Sequence, residues 1–439
     1  MTRIAVSSLV LALTLASRLS AQSLSAPERR MKEFVDRTRD EQAAFLARVV
    51  NIPSGTMNVA GVRRVGDVFR AALDSLGFTT RWIDMPGEMK RAGHLVAEHA
   101  GKAGTKRILL IGHFDTVFEG AGQQWVREDS MAKGAGSSDM KGGDAIIVYA
   151  LKTMNAAGVL RDANITVVFT GDEESAGDPL SVSRRDLIDA AKASDAALAF
   201  EGGSKDNATV ARRGASTWML RTTGRQAHSA GVFGETAGYG AVYEIARVID
   251  EMRRTLAGQQ YLTFNVGAIV GGTDVTFDSE RVSGTAASKT NIIARAAAAE
   301  GDLRFISQGQ LDSARAAMRQ IVAKSLPGTQ AEISFQDEYP AMSPTPGNYA
   351  LLAAYDSASR ALGFGSVAAL DPGRRGAGDA SFVAPFVDAL DGLGADGRGA
   401  HSPDERVRLE SLPMQTARAA VLIYRLSRQI KTKNEKTKT

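Results

Sequence analysis

Residues 107–115, RILLIGHFD, hold the junction that decides how this chain is read. Ile108 to Ile111 form an unbroken apolar run, the signature of a strand covered on both faces, as in a parallel sheet. The run stops at Gly112 and is followed at once by His113, Phe114 and Asp115. The pattern recurs twice downstream. NITVVFT at 164–170 leads into Asp172, Glu173 and Glu174, and AALAF at 196–200 leads into Glu201, Gly202 and Gly203. Open, largely parallel sheets collect their ligand sites at the carboxyl ends of strands. Three separate strands that each end on acids or histidine therefore mark a site rather than ordinary polar loops.

Around these strands, helical periodicity is expected over 27–50, where Met31, Phe34, Val35, Phe45, Leu46 and Val49 share a stripe. Further helices are expected over 62–76, ending before Gly77, and over 141–156, with Gly158 as the stop. The character changes at about 215. A strand at 218–222, a helix at 239–252, strands at 264–270 and 294–305 and a helix at 310–323 give a βαββαβ-like order. A helix at 348–362, a strand near 386–390 and a helix at 412–429 then resume the first pattern. The expected fold class is α/β, a mostly parallel sheet flanked by helices with an inserted smaller α+β domain. The sheet domain takes residues 22–214 and 336–430, and the insertion takes 215–335.

A chain of 439 residues with 44% hydrophobic content has the length and apolar content for two such domains. Its formal net charge of +4 comes from the ends. Residues 1–21 carry Arg3 and Arg18 without an acid, and 431–439 carry four lysines against Glu435, leaving about −1 for the body. No basic stripe is interleaved with aromatics, so a nucleic-acid partner is not indicated. Residues 1–21 read as a signal peptide: Arg3, an apolar core over 4–16, then small residues around Ala21 and Ser23. That core is short for a bilayer span, so the expected product is periplasmic or secreted, without stable membrane insertion. Residues 431–439 are expected to be a disordered basic tail. Cysteine is absent, which excludes thiolate nucleophiles, disulfides and cysteine-based zinc sites. Any metal must be held by histidine and carboxylates.

The five histidines are His94, His99, His113, His228 and His401. A lone histidine is more often a hydrogen-bonded surface or core residue than a ligand, so context has to separate them. His113 and Asp115 lie two apart after a strand, and alternate residues of an extended chain share a face. Asp115 is thus placed to accept from the second ring nitrogen of His113, as carboxylates do behind metal-binding imidazoles. Asp139 follows Gly136, Ser137 and Ser138 and precedes a predicted helix, so it reads equally well as an N-cap. Adjacent Glu173 and Glu174 point in different directions, which suits one to bind metal and the other to take a proton from water. A solvated acid pair is the plainer alternative.

The sequence resembles a family of di-zinc metallopeptidases: the bacterial glutamate carboxypeptidases, related to acetylornithine deacetylases, succinyl-diaminopimelate desuccinylases and aminoacylases. The strings that carry the resemblance are GHFDTVFEG from Gly112, SSDMKGG from Ser137, TGDEESAG from Thr170 and FEGG from Phe200. They continue with GRQAHSAGV from Gly224, TNIIA from Thr290 and HSPDERV from His401, in family order across essentially the whole mature chain. The resemblance implies one zinc held by His113, Asp139 and Glu201 and a second held by Asp139, Glu174 and His401. That is two Zn²⁺ per subunit bridged by Asp139, and the same nitrogen and oxygen ligands also suit Co²⁺ or Mn²⁺. It implies Glu173 as general base and acid, and Asp115 as the orienter of His113. It implies that the insertion is a dimerisation or lid domain, whose His228 reaches the partner subunit's site in a homodimer. Asn291 and Arg304 match substrate-recognition positions more loosely.

The chemistry agrees with these roles. A shared carboxylate holds two cations about 3.5–4 Å apart, where they can share a hydroxide, with Glu173 collecting the proton. The expected reaction is hydrolysis of a peptide or amide bond beside a free carboxylate, in a small peptide or N-acyl amino acid. The alternatives are an aminoacylase or other deacylase, an aminopeptidase, and a non-catalytic binding module on the same fold. Such a module should have lost ligands, yet all five and Glu173 are present. One departure bears on the substrate. Glutamate-specific relatives carry an arginine before the Pro-Ala pair that follows the small domain, whereas here Gln336, Asp337, Glu338 and Tyr339 precede Pro340 and Ala341. Arg374 and Arg375, in a glycine-rich loop, are the alternative grip for a carboxylate; a solvated pair is the plain reading.

Overall fold

The structure is a computed structural model that describes residues 23–120 and 123–430. The expected signal peptide and basic tail lie outside the described residues. A six-stranded sheet runs in the order Thr79–Ile83, His94–His99, Asn164–Thr170, Arg107–His113, Ala196–Ala199, Ala389–Leu390. His94–His99 is antiparallel to both neighbours, and the remaining pairings are parallel. Within RILLI the side chains alternate. Ile108 and Leu110 enter a core shared with the Lys141–Ala156 and Ser411–Ser427 helices, while Leu109 and Ile111 enter a second core with Leu187, Ala191 and Val383. Both faces are covered, which is why the run tolerates no polar residue.

The expected single helix over 27–50 is two helices, Ala26–Arg37 and Arg39–Val50. Thr38 divides them: its hydroxyl bonds back to the Phe34 carbonyl at 3.0 Å and its backbone leaves the helical region. The next helix, Val59–Asp74, starts ahead of the expected 62 because the Asn58 side chain caps the Gly61 amide at 3.0 Å. The strand expected near 386–390 is short, Ala389–Leu390.

The second sheet is antiparallel. Gly214–Gly224 lies between Ala296–Phe305 and Thr329–Tyr339, and Thr263–Phe264 and Ala268–Gly272 pair with the far side of Ala296–Phe305. The Ala241–Leu256 and Gln308–Val322 helices pack on this sheet around Trp218, Leu220, Val248, Met318 and Phe305. The strand expected over 264–270 is split, and an Asp274–Asp278/Ser283–Ala287 hairpin follows it. The hairpin's second strand, SGTAA, is exposed throughout and has no apolar alternation to announce it. The last strand continues to Tyr339, past the expected limit at 335, because its pairing with Gly214–Gly224 persists through a bulge. Where the chain crosses between the sheets, Arg212 and Met342 exchange backbone hydrogen bonds of 2.9 and 3.1 Å. Among the described residues, no helix is long and apolar enough to cross a membrane.

Phe114 anchors the critical strand end. Its fully buried ring stacks on Phe169 at 4.7 Å and Phe69 at 5.2 Å between centroids. Turning that side chain into the core leaves its neighbours His113 and Asp115 facing the other way. Phe114→Ala is expected to cost about 3–5 kcal/mol in the metal-free protein, through lost contacts and a cavity. Urea unfolding measures this, and a loss below about 1 kcal/mol would show that the ring does not anchor the turn.

Candidate metal centre

His113 closes its strand with a buried imidazole whose Nδ1 lies 3.1 Å from the Asp115 backbone carbonyl and 3.4 Å from Asp115 Oδ1. The expected carboxylate-to-imidazole contact is present but longer than the backbone one. The reason is that the Asp115 carboxylate is engaged elsewhere: it accepts from Thr56 Oγ1 at 2.6 Å, from the Glu173 amide at 3.0 Å and from the Glu174 amide at 3.1 Å. Asp115 fixes the imidazole through its main chain and the two glutamates through its side chain.

With Nδ1–H donating to that carbonyl, Nε2 of His113 is the ring atom left to take a proton or a metal ion. It faces Asp139 Oδ1 at 3.6 Å, Glu201 Oε1 at 3.6 Å and Glu173 Oε2 at 3.9 Å, and it has no hydrogen-bond partner. A buried ring nitrogen turned toward three carboxyl groups calls for positive charge between them, a proton in the metal-free site or a cation.

Asp139 is not the N-cap of the following helix; Met140 occupies that position and no side chain caps there. Asp139 instead joins two groups. Its Oδ1 faces His113, and its Oδ2 lies 3.1 Å from His401 Nε2, which is also 3.1 Å from Glu174 Oε2. The donor atoms of His113, Asp139 and Glu201 lie within 4.8 Å of one another, and so do those of Asp139, Glu174 and His401. His401 adopts a left-handed backbone, φ 61°, a strained choice for a residue with a Cβ and common at functional sites.

The electrostatics match a site built for cations. Burial, reinforced by neighbouring acids, pushes Glu174 up to about 8, Glu201 up to about 7 and Glu173 well above its ordinary range. The bond to Asp139 carries His401 up to about 9. Burial pulls His113 down, but Asp115, Asp139, Glu173 and Glu201 outweigh it and hold the ring well above 6.5. Burial likewise opposes the ionised form of Asp139, and its two histidines overcome it. Without metal, protons are favoured on Glu173, Glu174, Glu201 and the two histidines, while Asp139 stays ionised. Nitrogen and oxygen donors with one shared carboxylate fit a pair of divalent ions.

Several supporting residues had no sequence signal of their own. Glu405 accepts from the Gly136 amide at 2.8 Å, the Ser138 amide at 2.8 Å and the Asp139 amide at 3.0 Å, and so fixes the loop that presents Asp139. Arg212 pairs with Asp391, donates to the Gly376 and Ala377 carbonyls and comes within 3.9 Å of Glu201 Oε2. Gly112 is required where it stands, because a Cβ there would lie 2.0 Å from Asp144 Oδ1. Glu405 lies within HSPDERV, four residues after His401; Arg212 and Asp391 become legible only through the fold.

Other expected site residues lie apart from this cluster. His228 and Asn291 come together on the inserted domain, where the Ser229 amide bonds the Asn291 carbonyl at 2.9 Å. His228 is exposed there, its Nδ1 accepting from the Ala230 amide at 3.1 Å. Arg304 is engaged by Asp302 at 2.9 Å on the inserted sheet. Arg374 is exposed, at the end of the single turn Pro372–Arg374, and among the described residues its side chain makes no hydrogen bond toward the acids. Arg375 does: the extended backbone after that turn carries it inward to the Gly202 carbonyl.

Carboxyl ends of parallel strands converging on paired nitrogen–oxygen donor groups define a metal-dependent hydrolase. Residues 109–425 match the family described as peptidase family M20/M25/M40, and the chain belongs to that family. It is 29% identical over 403 residues to carboxypeptidase G2 of Pseudomonas sp. (strain RS-16), covering 88% of this chain and 90% of that one. It is 28% identical over 372 residues to succinyl-diaminopimelate desuccinylase of Acidiphilium cryptum (strain JF-5), covering 81% and 90%. It shares its fold with aminopeptidase PepT of Bacillus cereus ATCC 10987, with a TM-score of 0.70 and 19% identity over 88% of this chain and 98% of that one.

Two outcomes follow from the geometry. Glu405→Ala frees three amides of the Asp139 loop and should weaken metal binding about 10–100-fold, as losses behind metal ligands do. Metal titration reads this directly, and an unchanged affinity would show that the loop holds itself. Glu174 and Glu201 have folded pKa values raised from 4.5 to about 8 and about 7, so the folded metal-free protein binds more protons than the unfolded chain in that window. Their contribution is therefore full below pH 4.5 and lost as pH climbs through the folded values. The melting temperature of the metal-free protein should fall from pH 5 to pH 8, and the increase on adding metal should be larger at pH 8. A metal-induced increase that shrinks with pH would contradict the assignment.

Proposed function

We propose that this hydrolase is an exported di-zinc exopeptidase that cleaves the peptide or amide bond next to a free carboxylate in a small peptide or N-acyl amino acid. The observation that carries this reading is Glu173. It is a largely buried carboxyl group 3.9 Å from His113 Nε2 that belongs to neither donor group. Two dications held by His113, Asp139, Glu201, Glu174 and His401 would acidify a water molecule and polarise the scissile carbonyl.

Glu173 then takes the proton of the attacking water and delivers it to the leaving amine. Its main chain is held at both ends, the amide by Asp115 Oδ1 and the carbonyl by Tyr339 Oη at 3.2 Å, so the side chain works from a fixed base. Burial among other acids raises its proton affinity in the metal-free site, and two bound dications would lower it again, leaving a carboxylate able to accept a proton from water.

His228 stands on the inserted domain and shares no contact with the acid cluster of its own subunit among the described residues. In a homodimer it reaches the partner's site and opposes oxyanion charge. Exposed Phe233, Val242, Tyr243 and Ile269 on that domain give a second copy an apolar surface to cover. The periplasmic or secreted location rests on the composition of residues 1–21. The kinship with a desuccinylase supports a second reading, a deacylase working with the same residues.

Glu173→Gln should keep its metal and fold while turnover falls about 10²–10⁴-fold. Metal analysis beside kinetics decides the matter: lost metal would make Glu173 a ligand instead. His228→Ala should slow turnover without changing metal content, and an unaffected rate would remove it from the reaction. Release of amino acid from N-acylated but not N-free dipeptides separates the carboxypeptidase and deacylase readings from an aminopeptidase.

A further inference from the structure

Two cationic side chains beside the acid cluster form no ion pair among the described residues: Lys141, fully buried and bonded to the Val49 and Ile52 carbonyls, and Arg375. Arg212, its neighbour, is committed to Asp391 and to the Gly376 and Ala377 carbonyls. Arg375 is only partly exposed, and its Nη2 donates to the carbonyl of Gly202, the residue after Glu201. Among the described residues, no carboxylate reaches it within ion-pairing distance. A half-buried guanidinium bonded through one nitrogen to a neutral carbonyl leaves most of its donors free for an anion.

The surroundings give that anion room. Gly202 carries no side chain, and a Cβ there would point into space bordered by Arg375 Nη1 at 3.9 Å and the Ser138 carbonyl at 4.0 Å. On the other side, a Cβ on Gly392 would stand 3.6 Å from Arg375 Nη2. Ser138 and Gly202 adjoin Asp139 and Glu201, so the recess opens at the edge of the donor group completed by His113. Arg374, one residue earlier and turned to solvent, cannot serve it.

We propose that Arg375 is a specificity-determining residue that binds the free carboxylate of the substrate in the recess beside Gly202, on the Glu201 side of the paired donor groups. This rests on the hydrolytic reading above and names the group that selects its substrates. The planar fork of the guanidinium takes the carboxylate through two parallel N–H···O bonds, which an ammonium group cannot reproduce.

The test compares the zinc-loaded wild type with Arg375→Gln and Arg375→Lys, using an N-acyl amino acid and the same compound as its C-terminal carboxamide. In Arg375→Gln, KM for the free acid should rise about tenfold or more with kcat little changed, and kinetics on the carboxamide should stay as in the wild type. Arg375→Lys should recover only part of the loss. Calorimetric binding of the free product amino acid to each protein should weaken by a similar factor, with zinc content and melting temperature unchanged. Equal losses on acid and carboxamide, or no change on either, would overturn the assignment. If the wild type cleaves neither compound, the hydrolytic reading fails separately. The calorimetry then decides alone: weaker binding in Arg375→Gln supports the carboxylate site, and equal binding overturns it.

Discussion

Asp139 is the constraint on which the rest of the structure depends. Its two oxygens meet imidazoles from His113 and His401, which are nearly three hundred residues apart in the sequence and approach from different elements. No local interaction can bring those histidines together. It takes the central parallel strand to deliver one, the loop before the Arg406–Arg408 strand to deliver the other, and Glu405 to hold Asp139 between them. Because Glu405 lies just beyond His401, the segment that carries the second imidazole also clamps the loop of the shared carboxylate. One stretch of chain sets both sides of that contact.

Crowding acids in this way is costly, since each buried carboxylate disfavours ionisation of the next. Part of that cost is offset by arginines placed around the cluster rather than inside it. Arg184, fully buried, pairs with Asp172 at 2.6 Å and lies 2.8 Å from Asp379. Arg212 does the same for Asp391 and approaches Glu201. These partners have their own acids, so they leave the donor groups short of positive charge. The vacancy in the charge balance is the physical case for divalent ions, and it is independent of any likeness to other proteins.

What could be read from the sequence was what strand geometry dictates. A run such as RILLI, with alternate residues in different cores, can only be an inner strand, so the residues after it must lie at the sheet's carboxyl edge. That put His113, Glu173, Glu174 and Glu201 at one edge, while their separate roles came from the family resemblance. Asp139 was ambiguous because a loop acid before a helix has the composition of a cap, and only its distance from His401 separates the roles. The further partners of Asp115 were not legible because period-two reasoning says which face a side chain takes, but not which other donors on that face will share it. Arg374 and Arg375 could not be told apart either. A single turn at Pro372–Arg374, closed by the Asp371 side chain on the Gly373 amide at 2.8 Å, decides which of the two points inward. The Thr38 break was hidden for the converse reason, since the apolar stripe continues across it.

The joint between the two sheets bears on the chemistry in a way neither domain shows alone. The outgoing crossing carries Arg212, whose side chain comes near Glu201, and the returning crossing carries Tyr339, whose hydroxyl bonds the Glu173 carbonyl. Between them, Arg212 and Met342 are joined by a pair of backbone bonds. Any rotation of the inserted domain about this joint must pull on a residue touching a metal-site acid and on a residue touching the free glutamate. Packed polar contacts of this kind change in discrete steps rather than smoothly. The position of the inserted domain and the placement of Glu201 and Glu173 are therefore mechanically linked. The crossings that carry Arg212 and Tyr339 thus tie the inserted domain, on which His228 stands, to the backs of Glu201 and Glu173.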